Sequence, residues 1–234
     1  MTNNLIPLYG FFVISTKGRN RKARATNVIY KIQKLNSLNS FQTMKKISLT
    51  LILLFFIITN SSAQKKETCI IKTSLGDITV ELYPKKAPIT VANFLKYVDA
   101  QLYDNTSFFR SVTLNNQPKD FVKIEVIQGG EVDSTKVFAA IPLERTSKTG
   151  VLHKNGAISM ARDIPDSATC SFFICINDQP SLDFGGKRNK DGQGFAAFGK
   201  VTKGMDVVKK IQQLHPEQEQ YFKPEILILS ITRK

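Results

Sequence analysis

Tryptophan is absent from this chain, histidine occurs twice and cysteine three times among 234 residues. Three cysteines are too few for a disulfide-stapled miniprotein. Cysteines 69, 170 and 175 show no C-x-x-C spacing and no paired histidine, so no metal site is expected. Neither His153 nor His215 sits in a recognisable nucleophile motif, and no G-x-S-x-G occurs. His215, beside Pro216, reads as a solvated cap, and His153 as a structural loop residue. Cys175 lies in the apolar run Phe172–Ile176 and reads as a small core residue. Cys170, five positions away in the same strand, would face the other side, which argues against a disulfide between them. No heptads or short repeats occur, which excludes a coiled coil or solenoid.

Negative charge is missing from one whole region. The formal net charge is +14, from 33 Lys+Arg and 19 Asp+Glu. Taken whole, that suggests a nucleic-acid binder. Residues 1–63, however, hold nine of the basic residues and no Asp or Glu. Residues 64–234 carry 24 basic and 19 acidic residues, a balance of +5 that is ordinary for a globular domain. Nucleic acid is therefore not an expected partner.

The basic region reads as addressing. Met44-Lys45-Lys46 precedes the apolar run Ile47–Ile58, and Ser61 and Ala63 supply small residues at a cleavage position. A signal peptide over 44–63 is expected, cut after Ala63 to leave Gln64 as the mature N-terminus. The apolar run is short of the roughly 20 residues a membrane span needs, so stable insertion after cleavage is not expected. No cysteine follows the cut, which disfavours a lipoprotein. Residues 1–43 read as a gene-model extension upstream of Met44, or as a disordered basic arm. The expected location is exported, periplasmic.

The remaining residues read as one domain rich in short strands. Cys69–Thr73 and Ile78–Leu82 flank the turn Ser74-Leu75-Gly76-Asp77 as a hairpin. Pro88–Asp99 shows helical spacing at Val91, Phe94, Leu95 and Val98, with Thr90 as candidate N-cap. Further strands are expected at Ser107–Val112, Ile124–Gln128, Ala157–Ala161, Ser171–Ile176, Phe195–Val201 and Ile226–Thr232. A second helix is expected over Gly204–Leu214, with Met205, Val208 and Ile211 inward and Pro216 ending it. Polar loops fall at Leu114–Asp120 and Asp183–Gln193. Many strands with two helices point to a closed barrel rather than a parallel sheet. Gly192-Gln193-Gly194-Phe195-Ala196-Ala197 fits G-x-G-x-x-A, but a polar loop precedes it and a strand follows, so it is not a dinucleotide site. Asp163 and Asp166 read as solvated loop residues.

What remains distinctive is Phe108-Phe109-Arg110, Gln128-Gly129-Gly130 and Ser171-Phe172-Phe173-Ile174: one cation, one amide and aromatic faces. With Gly76–Leu82, Ala87-Pro88, Ala92-Asn93-Phe94, Gly156–Arg162, Asp166–Ile174, Leu182-Asp183, Phe195–Val201 and Gly204–Val208, the chain resembles the cyclophilin-type peptidyl-prolyl cis-trans isomerases over nearly all of residues 68–234. The resemblance implies a mainly β fold, a closed eight-stranded antiparallel β-barrel capped by two α-helices. It implies rotation about X-Pro bonds of proline-containing polypeptides, no cofactor, a monomer, and a cyclosporin-type ligand as a further candidate partner. It assigns Arg110 and Gln128 as catalytic, and Phe173, Leu182 and Phe195 as the floor for the proline ring with Val126 and Ala161 at its edges. Arg162, through nearby backbone, and Ser171 would contact the substrate peptide. Phe172, alternating with Phe173, reads as core.

Some positions depart from the family pattern. The interval from Arg110 to Gln128 is longer, through Leu114–Lys123. Glu125 stands where an aromatic is usual, Val126 where Met is usual, Ser171 in place of Gln, and Ser181 in place of an aromatic. Phe195 stands where many eukaryotic members have His. Phe121, from the insertion, is a candidate to replace the missing aromatic. The changed rim keeps open an alternative function, a peptide-binding module or chaperone with weak or no isomerase activity.

Overall fold

The computed structural model describes residues 27–40, 44–45, 67–119, 121–214 and 220–234. The chain forms two compact units, Met1–Gln64 and Lys65–Lys234. In the first, residues 27–40 form a helix, α1. The apolar run expected to be a signal peptide and the expected cleavage position lie outside the described residues, as do His215 and Pro216.

The second unit is a closed barrel of eight strands: β1 (Glu67–Thr73), β2 (Gly76–Leu82), β3 (Thr106–Val112), β4 (Val126–Gly129), β5 (Ala157–Met160), β6 (Phe172–Cys175), β7 (Ala196–Lys203) and β8 (Tyr221–Arg233). Their spatial order is β1-β2-β7-β5-β6-β4-β3-β8, closed by β8 on β1, and every pairing is antiparallel. Closure leaves no free edge for another chain to pair with. Helices α2 (Pro88–Asp99) and α4 (Met205–Gln213) pack on the barrel, sending Val91, Phe94, Val208 and Ile211 into its core. This is the architecture the sequence pattern predicts. A four-residue helix, α3 (Thr146–Thr149), was not anticipated, and β8 starts at Tyr221 rather than Ile226.

The first hairpin is set locally. Thr73 pairs with Gly76 across Ser74-Leu75, and Gly76 takes φ +134°, a conformation L side chains rarely adopt. The Thr73 hydroxyl donates to the Gly76 carbonyl at 2.7 Å and accepts the Leu75 N–H at 3.1 Å. Helix α2 begins differently from expectation. Its N-cap is Ala87, with Pro88 in the first turn, and Thr90 lies inside the helix. The unpaired N–H groups of the first turn are met from a distance. Glu144 accepts the Ile89 N–H at 3.2 Å, and the Thr90 N–H and hydroxyl at 2.7 and 2.6 Å. A carboxylate there also complements the positive end of the helix dipole.

Strand alternation separates two apolar regions. The barrel interior holds Phe94, Tyr97, Tyr103, Phe108, Phe172, Ile174 and Phe198. A smaller cluster on the outer side of the β3-β4-β6 wall holds Val112, Ile124, Val126, Phe173, Cys175 and Leu182, flanked by Ala161 and Phe195. Cys170 falls in the first and Cys175 in the second, on opposite sides as their spacing predicts. Burial raises the Cys69 thiol to about 12 and the Cys175 thiol further, so neither is a nucleophile at neutral pH.

Candidate active site

A bulge positions the central cation. Period-two alternation would put Phe108 and Arg110 on one face of β3. The register of β3 against both β4 and β8 shifts between them. One extra residue reverses the side on which all later side chains emerge. Phe108 therefore points into the barrel, while Arg110 and Val112 face the outer cluster. Arg110 then pairs with Gln128 of β4, and Gln128 with Phe173 of β6. The two glycines after Gln128 permit this close approach: at Gly130, with φ +74°, a Cβ would lie 2.5 Å from the Phe172 ring.

These strands line a cleft of about 690 Å³. Arg110, Gln128, Val126, Ala161, Arg162, Ser171, Phe173, Leu182 and Phe195 all border it. Arg110 Nη1 donates to Gln128 Oε1 at 3.1 Å, and Gln128 Nε2 donates to Ser171 Oγ at 3.2 Å. Ser171 thus joins the polar side of the cleft through a short hydroxyl. The floor is apolar, with Phe173 and Phe195 edge to face at 5.3 Å and 87°. His153 stacks behind Phe173 at 5.9 Å and 13°.

His153 is buried and bridges two partners. Its Nδ1 lies 2.7 Å from Asp183 Oδ1 and its Nε2 3.0 Å from Ser159 Oγ. The order Asp–His–Ser is that of an acyl-transfer relay. Ser159, however, is fully buried in β5, where no substrate carbonyl reaches it. The network braces the floor, in keeping with a structural His153.

The rim is built by the segment between β3 and β4. Asn116 Oδ1 accepts the Thr113 N–H, and Asn116 Nδ2 donates to the Ser111 carbonyl. Buried Gln117 donates to the Thr113 and Ile124 carbonyls and accepts the Ile124 N–H. Arg188 reaches across from the 183–193 loop to Gln117 Oε1 at 3.1 Å and the Val122 carbonyl at 2.8 Å. This fixes Ile124 in the cleft wall. The expectation for Phe121 fails: its ring is fully exposed, away from the cleft. Glu125 also turns away, accepting from Asn177 Nδ2 at 2.8 Å. An apolar side chain, Ile124, completes the wall in place of an aromatic.

Arg162 is held from the opposite side. Its Nε donates to the Gly194 carbonyl at 2.8 Å and its two Nη atoms to the Asp191 carboxylate at 2.7 and 3.0 Å. Its guanidinium lies 5.2 Å over the Phe195 ring. The hydrogen bond from Arg162, then that from the Gln193 N–H, holds the Asp191 carboxyl below its ordinary pKa. Arg162 therefore anchors the loop that carries Phe195. Among the described residues no group of three or more His, Cys, Asp or Glu side chains is placed to hold a metal ion.

The family of cyclophilin type peptidyl-prolyl cis-trans isomerases matches residues 68–233. The chain belongs to this family. A peptidyl-prolyl cis-trans isomerase of Acinetobacter baylyi is 40% identical over 143 residues, covering 60% of this chain and 69% of that protein. Peptidyl-prolyl cis-trans isomerase B of Escherichia coli is 36% identical over 143 residues, covering 60% and 80%. Among solved structures, a Cryptosporidium parvum cyclophilin matches with TM-score 0.58 at 21% identity, covering 72% of this chain and 98% of that one. A second structure of that protein, in the presence of the dipeptide Ala-Pro, matches with TM-score 0.56. The barrel is thus a cyclophilin barrel, and the enzyme class is prolyl isomerase.

One contributor to this cyclophilin cleft was not visible in the sequence. Gln220 Oε1 accepts from Arg110 Nε at 3.0 Å and from Nη2 at 2.6 Å. Gln220 lies in no motif, and 110 positions separate it from Arg110. The signal is spatial, since β8 runs beside β3 with Tyr221 opposite Arg110. Tyr221 also stacks on Phe109 at 6.5 Å and 17°, at the exposed end of the cleft.

Proposed function

We propose that Arg110 is the group that lowers the barrier to X-Pro rotation, acting on proline-containing polypeptides seated over Phe173, Leu182 and Phe195. The observation that carries this is the guanidinium of Arg110 beside an apolar, ring-sized floor in one cleft. The barrier of about 20 kcal/mol arises from amide resonance. As the bond twists, the prolyl nitrogen recovers its lone pair. A donor aimed at that nitrogen stabilises the twisted state more than either planar one, which is what acceleration requires. Arginine suits the role because it stays protonated and has planar, fixed donors. No bond is broken, so no nucleophile is needed. Val126 and Ala161 bound the ring pocket, while Gln128, Ser171 and the backbone near Arg162 hold the peptide.

The segment over 44–63 supports an exported, periplasmic role in protein folding. N-terminal sequencing of the expressed protein tests it, with Gln64 as the expected first residue. For the chemistry, NMR exchange on an X-Pro peptide reads catalysis directly. Arg110→Ala should slow the enzyme about 100-fold or more, in the range seen for loss of one transition-state donor. Equal rates in Arg110→Ala and wild type would overturn the assignment. Peptide binding that survives Arg110→Ala, with no measurable catalysis in the wild type, would instead favour the binding-module reading.

A further inference from the structure

We infer that Gln220 is a positioning residue for the isomerase reaction, fixing the plane and direction of the Arg110 guanidinium. The inference rests on the reading of Arg110 given above. Gln220 Oε1 sits in the fork between Nε and Nη2, and Gln128 Oε1 takes Nη1 on the other edge. One contact alone leaves a guanidinium able to swing about χ4. Acceptors on two edges define both its plane and its heading.

Gln220 is itself anchored. Its Nε2 donates to the Asn116 carbonyl at 3.0 Å, and its backbone carbonyl accepts the Ser111 N–H at 2.7 Å. Asn116 belongs to the long segment between β3 and β4. That segment therefore does more than raise a cleft wall, because its backbone holds the amide that holds Arg110. Ser111, next to Arg110 in β3, ties the same glutamine to the strand that carries the cation. A cation held this way keeps its aim through the reaction, and small misplacements of a reacting group are costly.

The test compares Gln220→Leu, similar in size but without an acceptor, with Gln220→Glu, which presents an oxygen to the same two nitrogens. Both are made in the full chain, alone and with Arg110→Ala. Rates and peptide affinity are read by NMR exchange on an X-Pro peptide, with thermal unfolding as a check on folding. Gln220→Leu should lower kcat about tenfold while KM stays within about twofold. Gln220→Glu, which keeps the acceptor for Arg110 but cannot donate to the Asn116 carbonyl, should recover part of that loss. In the Arg110→Ala background Gln220→Leu should have no further effect, because residues acting through one group are not additive. The Arg110 Nε–H resonance should exchange slowly in wild type and Gln220→Glu, and faster in Gln220→Leu.

A wild-type kcat in Gln220→Leu would overturn the inference. So would a loss in KM alone, no recovery in Gln220→Glu, or an undiminished loss in the Arg110→Ala background. Failure of the catalytic reading is distinguishable, because Arg110→Ala by itself would then match wild type.

Discussion

Phe172 and Phe173 are neighbours in β6, and both are buried, yet they belong to different regions of the molecule. Phe172 sits inside the barrel, edge-on to Phe94 and Tyr103 at 5.6 Å and to Phe108 at 6.0 Å. Phe173 lies on the outer side, against His153 and Phe195. Degree of burial does not separate them. What separates them is the second face of each ring: for Phe172 it meets more core, for Phe173 it meets the cleft. The inner region is apolar packing on all sides. The outer one is apolar on its floor and at Ile124, Val126 and Ala161, and the rest of its rim is held by polar networks of amides, guanidinium groups and one carboxylate.

The largest expected effect would break this contrast directly. Phe172→Ala should cost about 3–5 kcal/mol of stability by leaving a cavity in a packed interior. Phe173→Ala should cost less than half of that, because its site opens on solvent. It should instead raise KM for X-Pro peptides by about tenfold or more, from lost apolar contact with the proline ring. Denaturant unfolding and NMR exchange on both variants decide it. Similar losses of stability with similar kinetics would erase the division.

A smaller effect is expected in the outer wall. Gln117→Leu leaves the Ile124 N–H and the carbonyls of Thr113 and Ile124 without the amide that serves them. Stranding such groups should cost about 1–3 kcal/mol. Activity should fall with it as Ile124 loses its seat, whereas an internal cavity of similar cost should leave the rate of the folded enzyme unchanged. Comparing kcat/KM at matched folded fraction reads the difference.

The smallest effect is electrostatic. The Asp191 carboxyl, held below its ordinary value mainly by Arg162, stabilises the folded state above the usual carboxylate pKa near 4. That contribution should fade as pH falls through its lowered folded value. Because Asp191 is partly exposed, solvent screening limits the contribution to about 1 kcal/mol or less. Asp191→Asn should flatten this acid part of the stability profile, and an unchanged slope would show that the pair contributes nothing.

The comparison also shows what a sequence carries. Alternation puts Phe172 and Phe173 on opposite faces, because β6 is regular, and the resemblance says which of them faces the substrate. The turn at Ser74-Leu75-Gly76 is equally legible, since its chemistry is local. In β3 the same logic fails for Arg110, whose side depends on the bulge after Phe108; only the resemblance of the motif assigns it. Thr90 looks like an N-cap because the capping pattern is local, yet the carboxylate that does the work comes from Glu144. Phe121 looks like a pocket residue by type, but the hydrogen bonds of Gln117 place Ile124 there instead. Gln220 carries no signal at all until β8 is laid beside β3. Local chemistry is readable, and contacts made across the barrel are not.

Glu144 links distant parts of the chain in a way that bears on folding order. The first turn of α2 lacks a side-chain cap of its own. Its amides are satisfied only when the segment before α3 has docked. A helix completed by a residue more than fifty positions away matures late, together with tertiary assembly. The amides of Ile89 and Thr90 are therefore natural reporters of that assembly, sheltered from solvent exchange only in molecules whose distant loop has found its seat.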